Sequence, residues 1–215
     1  MGSTNDNQLT TMRIRVKFAK TEPMRFTSHL DLYRAWERLL RRADLSLVFS
    51  QGYNPRPKLQ LAAPLALGIT SQAEIIDFWL DTTTQDLGEI TRKLIAAQPP
   101  GIEVKSIQSI DPRAPALQKQ VSGAEYQVTL LDPVQHLDQK VESVLASEAI
   151  IRHRRDKTYD LRPLILHLEI GQLGSQSLQM ILSAREGSTG RPEEVLRALD
   201  IPPEHARIKR NRIIF

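Results

Sequence analysis

The strongest constraint on the fold is the order in which strand-like and helix-like hydrophobic patterns follow one another. Residues 13–19 alternate apolar and basic side chains, which predicts a half-buried strand with its basic residues toward solvent. Ser28 followed by Asp31 resembles a helix-capping box, and apolar residues then recur at helical spacing from about 29 to 43. Further strands are predicted at 59–63, 73–81 and 102–110, and a second helix at 86–98. The resulting order, βαββαβ, is that of a ferredoxin-like unit.

The second half of the chain repeats this order after a break in periodicity. Residues 111–123 contain two prolines and a glycine, which predicts a linker. Beyond it, strand patterns at 126–130, 164–170, 178–184 and 207–215 are interleaved with helix patterns that begin at Asp132 and Arg191. We therefore predict an α+β fold of two tandem ferredoxin-like units, residues 12–110 and 124–215, joined by the linker and preceded by a disordered tail, residues 1–11.

The composition and the absence of known motifs exclude several kinds of functional site. The chain has no cysteine, which excludes disulfides, thiolate metal sites and a protein-bound iron–sulfur cluster. It also lacks a Walker phosphate loop, a dinucleotide-binding glycine motif and a zinc-protease motif, so we expect no cofactor and no metal. No apolar run approaches the roughly 18 residues of a membrane span, and the polar start of the chain is not a secretory signal. We expect a cytoplasmic protein with no membrane partner.

A basic helix is the first candidate for binding. Arg34, Arg38 and Arg41 lie at i, i+4 and i+7, so they share the face opposite the apolar residues. Arg42 extends this row by one residue. A phosphate backbone can contact such a row of guanidinium groups. The alternative is a solvated face on which Glu37 and the arginines form weak local ion pairs.

The loop at residues 51–58 is the second candidate. Its glycine permits close backbone approach, Tyr53 can stack on a base, and Asn54 precedes a proline that fixes a turn. Arg56 and Lys58 add two cations. These features are compatible with binding of single-stranded RNA, and that interpretation gains weight from the adjacent basic helix. The alternative is a rigid surface connection in which Tyr53 packs on the helix.

Two further sets of residues carry weaker hypotheses. His29, at the start of the basic helix, can be a general acid or base by analogy with tandem ferredoxin-like RNA endonucleases that process CRISPR repeats. A histidine in the first turn of a helix more often forms a local hydrogen bond or packs on the preceding loop. The basic run at 151–162 is either a second polyanion contact or an exposed loop. The cations proposed for this secondary patch are Arg152, Arg154, Arg155 and Lys157.

Three motifs resemble those of the radical SAM-linked protein family, a bacterial domain of unknown function. They are FTSHLDL at 26–32, SQGYNPRPK at 50–58 and APLALG at 63–68. The resemblance covers most of the chain from Met12 and is looser in the second half. It implies a domain encoded beside, or fused to, a cobalamin-type radical SAM protein. Because this chain lacks the cysteines of a radical SAM enzyme, it would be the accessory or substrate-handling part.

Three hypotheses about function remain open. The leading one is an accessory module that binds tRNA or rRNA for a radical SAM partner and performs no catalysis. The second is an RNA endonuclease or RNA-modifying enzyme centred on His29. The third is a protein-docking domain whose interface lies in residues 25–64.

Overall fold

The computed structural model describes residues 11–82, 86–154, 157–171 and 176–215. In these ranges the fold is mixed α+β, with many strands and few helices. The chain forms two compact units. The first contains the residues up to Leu67 together with Ala73–Gln120, and the second contains Gly68–Gln72 together with Val121–Phe215. No helix in the described ranges has the length and apolar character needed to cross a bilayer.

The first unit follows the element order expected for residues 12–110. Its elements are β1 (Met12–Lys20), α1 (His29–Arg42), β2 (Leu59–Leu61), β3 (Ile69–Leu80), α2 (Leu87–Ala97), β4 (Ile102–Ile110) and α3 (Leu117–Gln120). In the sheet, β1 lies between β4 and β3, and β2 pairs with β3. The β1–β4 and β2–β3 pairs are antiparallel. The first residues of β3 belong to the second unit.

One face of this sheet and the two long helices form the core of the first unit. The apolar residues of β1 are fully buried against α1 and α2, as their alternation predicts. Phe18 of β1 meets Trp36 of α1 edge to face, with 4.8 Å between ring centroids. Each fully buried side chain of this size contributes about 1.5–3 kcal/mol through burial. This packing fixes which face of α1 is left to solvent.

Part of the opposite face of the sheet is covered, around Arg13, whereas Lys17 on the same face is exposed. This covering corrects two expectations. Arg13, predicted to face solvent, is only 1% exposed. Part of the segment predicted as a linker is α3, which belongs to the first unit. It is held there because Gln118 Nε2 donates to Leu61 O at 2.9 Å and Leu117 N donates to Gln60 Oε1 at 2.9 Å. The alternation of apolar and basic residues in β1 identified the two faces of the strand. It could not show which segment of the chain covers the face that carries Arg13.

The second unit contains the predicted elements and one hairpin that was not predicted. Its elements are β5 (Gly123–Leu130), α4 (Leu137–Ala146), β6 (Ile151–Arg154), β7 (Lys157–Asp160), β8 (Ile165–Ile170), β9 (Ser177–Arg185), β10 (Ser188–Thr189), α5 (Pro192–Ala198) and β11 (Ala206–Ile214). The strands β8, β9, β5 and β11 are successive antiparallel neighbours. The hairpin of β6 and β7 replaces the exposed loop considered for this run.

Candidate nucleic-acid interface

A serine cap fixes where the basic helix begins. Ser28 has extended backbone angles, and its hydroxyl oxygen accepts a hydrogen bond from Asp31 N at 3.1 Å. The same hydroxyl donates to Asp31 Oδ2 at 2.6 Å. Capping satisfies one of the free N–H groups of the first turn and favours an acidic side chain there. The predicted cap is therefore present, and α1 starts at His29.

The two faces of α1 differ as its sequence predicts. Leu32, Trp36 and Leu39 are fully buried against the sheet, whereas Arg34, Arg38 and Arg41 are exposed on the other side. Since positions separated by three or four residues lie above one another on a helix, these three guanidinium groups form one row. The row is the basic face of α1.

Two of the three arginines also act on one carboxylate. Arg34 Nη1 lies 3.3 Å from Asp31 Oδ1, in an ion pair that is half exposed on both sides. The hydrogen bond from Ser28 lowers the pKa of Asp31 most, and the charges of Arg34 and Arg38 lower it further. In the described ranges no ion pair involves Arg38 or Arg41. Two arginines of the row are thus available to an anion.

Arg42 has a different environment from the rest of the row. Its Nη2 donates to Ala97 O, the last residue of α2, at 2.7 Å. The bond satisfies a carbonyl at the end of that helix, where no backbone partner is available. Arg42 therefore links the ends of α1 and α2, and its assignment to phosphate binding stays a prediction.

Backbone hydrogen bonds hold the base of the loop at residues 51–58. Ser50 N donates to Arg56 O at 2.8 Å, and Arg56 N donates to Ser50 Oγ at 3.1 Å. Below this pair, Lys58 N donates to Val48 O at 2.7 Å, and Val48 N donates to Trp79 O of β3 at 2.9 Å. The loop is thus short, and hydrogen bonds fix both of its ends to the sheet.

The tip of the loop projects away from the protein. Gly52 has a φ of 135°, and a Cβ placed there would meet no atom within 4 Å. Tyr53 is fully exposed, so the alternative in which its ring packs on α1 is wrong. Asn54 is exposed beside it. An exposed tyrosine on an anchored turn presents both ring faces for stacking.

The charge of one loop residue acts on the helix. Burial raises the pKa of Tyr33 on α1, Glu37 raises it further, and the charge of Arg56 opposes the increase. The loop and the helix are therefore electrostatically coupled through Arg56 and Tyr33.

Lys58 has a contact on the sheet. Its Nζ lies 4.5 Å from the centroid of the Trp79 ring, and Arg13 Cζ lies 4.7 Å from the same centroid. A cation over an indole ring is stabilised by the ring quadrupole. Lys58 is exposed, but this contact gives it a structural role that the sequence did not suggest.

His29 is the first residue of α1, and its side chain is partly buried. Its two polar neighbours in the first turn, Ser28 and Asp31, are hydrogen-bonded to each other at 2.6 Å. In the part of the chain that the structure describes, no group of three or more histidine and acidic side chains can hold a metal ion. The general acid or base role of His29 stays a prediction.

A buried charge cluster was missed by the sequence reasoning. Asp77 of β3 is fully buried and accepts hydrogen bonds from Arg13 and Arg15 at 2.6–3.0 Å. Arg13 also donates to the carbonyls of Ala114 and Pro115 at 2.6 and 3.1 Å. The signal was available, because an acidic residue in a mainly apolar strand needs a cationic or hydrogen-bonding partner when it is buried.

The secondary basic patch lies on the β6–β7 hairpin. Arg154 and Lys157 are exposed and are paired across the two strands. Arg152 is half-buried, and its Nε lies 3.9 Å from Glu194. Arg155 lies outside the described residues. Two of the four proposed cations are therefore side by side at the end of the hairpin.

The comparison with protein families identifies this chain's relatives. A profile of the DUF2344 family, described as an uncharacterized protein conserved in bacteria, matches residues 13–192. The chain belongs to this family. The DUF2344 match includes all of α1, the loop at 51–58 and the β6–β7 hairpin. No curated protein matches the chain.

Two solved structures have low similarity to this DUF2344 protein. One is a crystal structure of an unknown protein from Galdieria sulphuraria, with 14% identity, coverage of 95% of this chain and 99% of that one, and a TM-score of 0.29. The other is the small subunit of acetolactate synthase from Thermotoga maritima, with 12% identity, coverage of 95% and 94%, and a TM-score of 0.25. At these scores neither bears on fold or function.

Proposed function

We propose that the basic face of α1 and the loop at residues 51–58 bind RNA. The observation that carries the proposal is the exposed row of Arg34, Arg38 and Arg41. In the same unit, the loop presents Tyr53 to solvent, and the charge of its Arg56 acts on Tyr33 of α1. Guanidinium groups bind phosphates through charge-assisted hydrogen bonds, and an exposed aromatic ring stacks on a base of any identity.

The type of contact sets the expected specificity. Phosphate contacts position a nucleic acid without reading its sequence, whereas Tyr53 requires an unstacked base. The proposed ligand is therefore a structured RNA with an accessible single-stranded loop, such as tRNA or an rRNA fragment. In this role the protein prepares or holds RNA for a radical SAM enzyme in the cytoplasm and performs no reaction itself.

A binding titration with matched variants tests the proposal. The change Arg38→Gln with Arg41→Gln removes two interface charges, and we expect the Kd for tRNA at low salt to increase at least tenfold. The control Arg92→Gln with Arg113→Gln removes two exposed charges of the same unit outside the interface, so its Kd should change less than threefold. Equal effects of the two pairs would show that binding is non-specific attraction, and absence of binding to tRNA and rRNA would remove the proposal.

Two exposed apolar side chains favour protein docking as a second candidate function. Phe26 is 75% exposed and Leu30 is 54% exposed, and both precede or begin the basic helix. Large apolar side chains close together at a surface are typical of interaction sites. The radical SAM enzyme is the proposed partner. Co-purification that is lost in Phe26→Ser with Leu30→Ser but kept in Arg38→Gln with Arg41→Gln would favour docking through these apolar residues.

We also propose that both units are ferredoxin-like. The support is that each unit has the strand order expected of such a domain: β4, β1, β3, β2 in the first and β11, β5, β9, β8 in the second. Under this proposal the β6–β7 hairpin and β10 are additions to the second unit.

A further inference from the structure

A cavity in the second unit has the features of a small-ligand site. Its volume is about 660 Å³, and it lies between the β6–β7 hairpin, the turn from β9 to β10 and the residue before α5. Pockets for small molecules and cofactors usually have volumes of about 300–1,000 Å³. The size therefore suits a compact ligand.

The lining of this cavity is cationic. Arg154, Lys157 and Arg191 line it, and the acidic residue of the lining is Asp160. The Asp160 carboxylate accepts hydrogen bonds from the backbone N–H groups of Ile150 and Arg162 at 2.7 and 2.9 Å. Among the described residues no ion pair involves the three cations. Three cations against one carboxylate give the described lining of the cavity a net positive charge.

The charges of two arginines that line the cavity act on one side chain of the same lining, Tyr159. Burial raises the pKa of Tyr159 most, Glu194 raises it further, and the charges of Arg191 and Arg154 both act in the opposite direction. Two arginines from different elements, β6 and the residue before α5, therefore lie near the same phenol. Ser188 also lines the cavity, and a serine hydroxyl can donate a hydrogen bond to an anion. Thr189 lines it too, but its hydroxyl donates to Arg185 O at 3.0 Å.

Apolar groups provide another part of the lining. Pro163 and Leu164 line the cavity together with the ring of Tyr159. A ligand that fills this space needs a flat or apolar portion for these residues and an anionic portion for the arginines. Arginine suits phosphate because its planar fork of N–H groups matches the phosphate oxygens.

We propose that this cavity binds a nucleoside phosphate, with the phosphates on Arg154, Lys157 and Arg191 and the base against Tyr159, Pro163 and Leu164. The same chemistry is present in a free nucleotide and in the phosphorylated end of an RNA strand. The site is separate from the basic face of α1, and its proposal does not depend on RNA binding by the first unit.

Calorimetric titration of the full chain with ADP and UDP tests the proposal, with adenosine as the uncharged comparison. We expect binding of at least one diphosphate and none of adenosine. In Arg154→Gln with Arg191→Gln, the Kd should increase at least tenfold. The control Arg207→Gln removes an exposed charge of the same unit that does not line the cavity, and it should leave the Kd within twofold. Lys157→Gln, a single surface change, provides a second test if the double variant is not folded.

A second pair of probes separates the two sources of the ligand. RNA tetranucleotides with and without a 5′-phosphate are titrated into the Arg38→Gln, Arg41→Gln variant, which removes the first-unit interface from the comparison. Tighter binding of the phosphorylated strand than of either diphosphate supports an RNA end, and the reverse supports a free nucleotide. Adenosine binding as tightly as ADP, no phosphorylated probe binding at about 1 mM, or a Kd unaffected by both cavity variants would overturn the proposal.

Discussion

Replacing Asp77 by asparagine should destabilise the first unit far more than any surface change. The fully buried carboxylate accepts four hydrogen bonds, two from Arg13 and two from Arg15. The asparagine side chain is isosteric but neutral, and its amide group would place a donor where the arginines also donate. Arg13 is 1% exposed and Arg15 is 14% exposed, so neither charge can be fully solvated in place.

The expected magnitude follows from what remains buried. Removing one partner of a buried ion pair costs about 3–5 kcal/mol, because the remaining charge is left without compensation. A urea m value of about 2 kcal/mol/M converts this loss into a midpoint shift of about 1.5–2.5 M. That loss is a large fraction of the roughly 5–15 kcal/mol that stabilises a typical domain.

Tryptophan fluorescence makes the measurement specific to the first unit. The chain has two tryptophans, Trp36 and Trp79, and both are buried there. The control is Glu103→Gln, which removes a half-exposed ion pair with Lys105 at 2.7 Å and should cost no more than about 1 kcal/mol. If Asp77→Asn costs as little as this control, the cluster does not hold the sheet and residues 114–115 together as described.

Three other results are expected. Ser28→Ala should destabilise α1 by about 1 kcal/mol through loss of its cap, measured by thermal unfolding. In an NMR titration the pKa of Asp31 should lie below the ordinary 3.8 and rise in Ser28→Ala, since the Ser28 hydrogen bond is the main cause of its lowering. Because that pKa is lowered by folding, the contribution of Asp31 to stability is present above pH 3.8 and is lost as the pH falls through the folded value. Gly101→Ala should cost more than about 1 kcal/mol in urea unfolding, since φ is 96° and the new Cβ would lie 2.9 Å from Met24 N.

Sequence patterns among neighbouring residues predicted the elements that depend on neighbouring residues, and α1 is the clearest case. The helix α1 followed from its cap and from apolar residues at helical spacing, and both are properties of neighbouring residues. The exposure of the arginine row followed directly, because burying one face of a helix leaves the other to solvent. The row in the candidate site was therefore predictable from the sequence alone.

Contacts between distant segments were not predictable in this way. The alternation in β1 identified Arg13 as opposite the apolar face, but the cover over it comes from residues 114–115, far along the chain. The prolines of that segment were interpreted as a linker because a local pattern cannot show what a turn packs against. The structural contacts of Arg42 and Lys58 have the same origin, since their partners Ala97 and Trp79 lie on other elements.

The β6–β7 hairpin was missed for a related reason. Its strands have four residues each, and most of their side chains are exposed and polar. Without a buried face, such strands lack the alternation that indicates a sheet. The cavity beside the hairpin could not be anticipated, because Arg191 joins it from a distant segment of the chain.

The salt dependence of RNA affinity tests the central claim most directly. Each phosphate neutralised on a single strand contributes about −0.7 to the slope of log K against log salt concentration. If Arg34, Arg38 and Arg41 each contact a phosphate, changing all three to glutamine should make the slope shallower by about 2. The same slope in wild type and variant would contradict the claim that the basic face of α1 binds the RNA backbone.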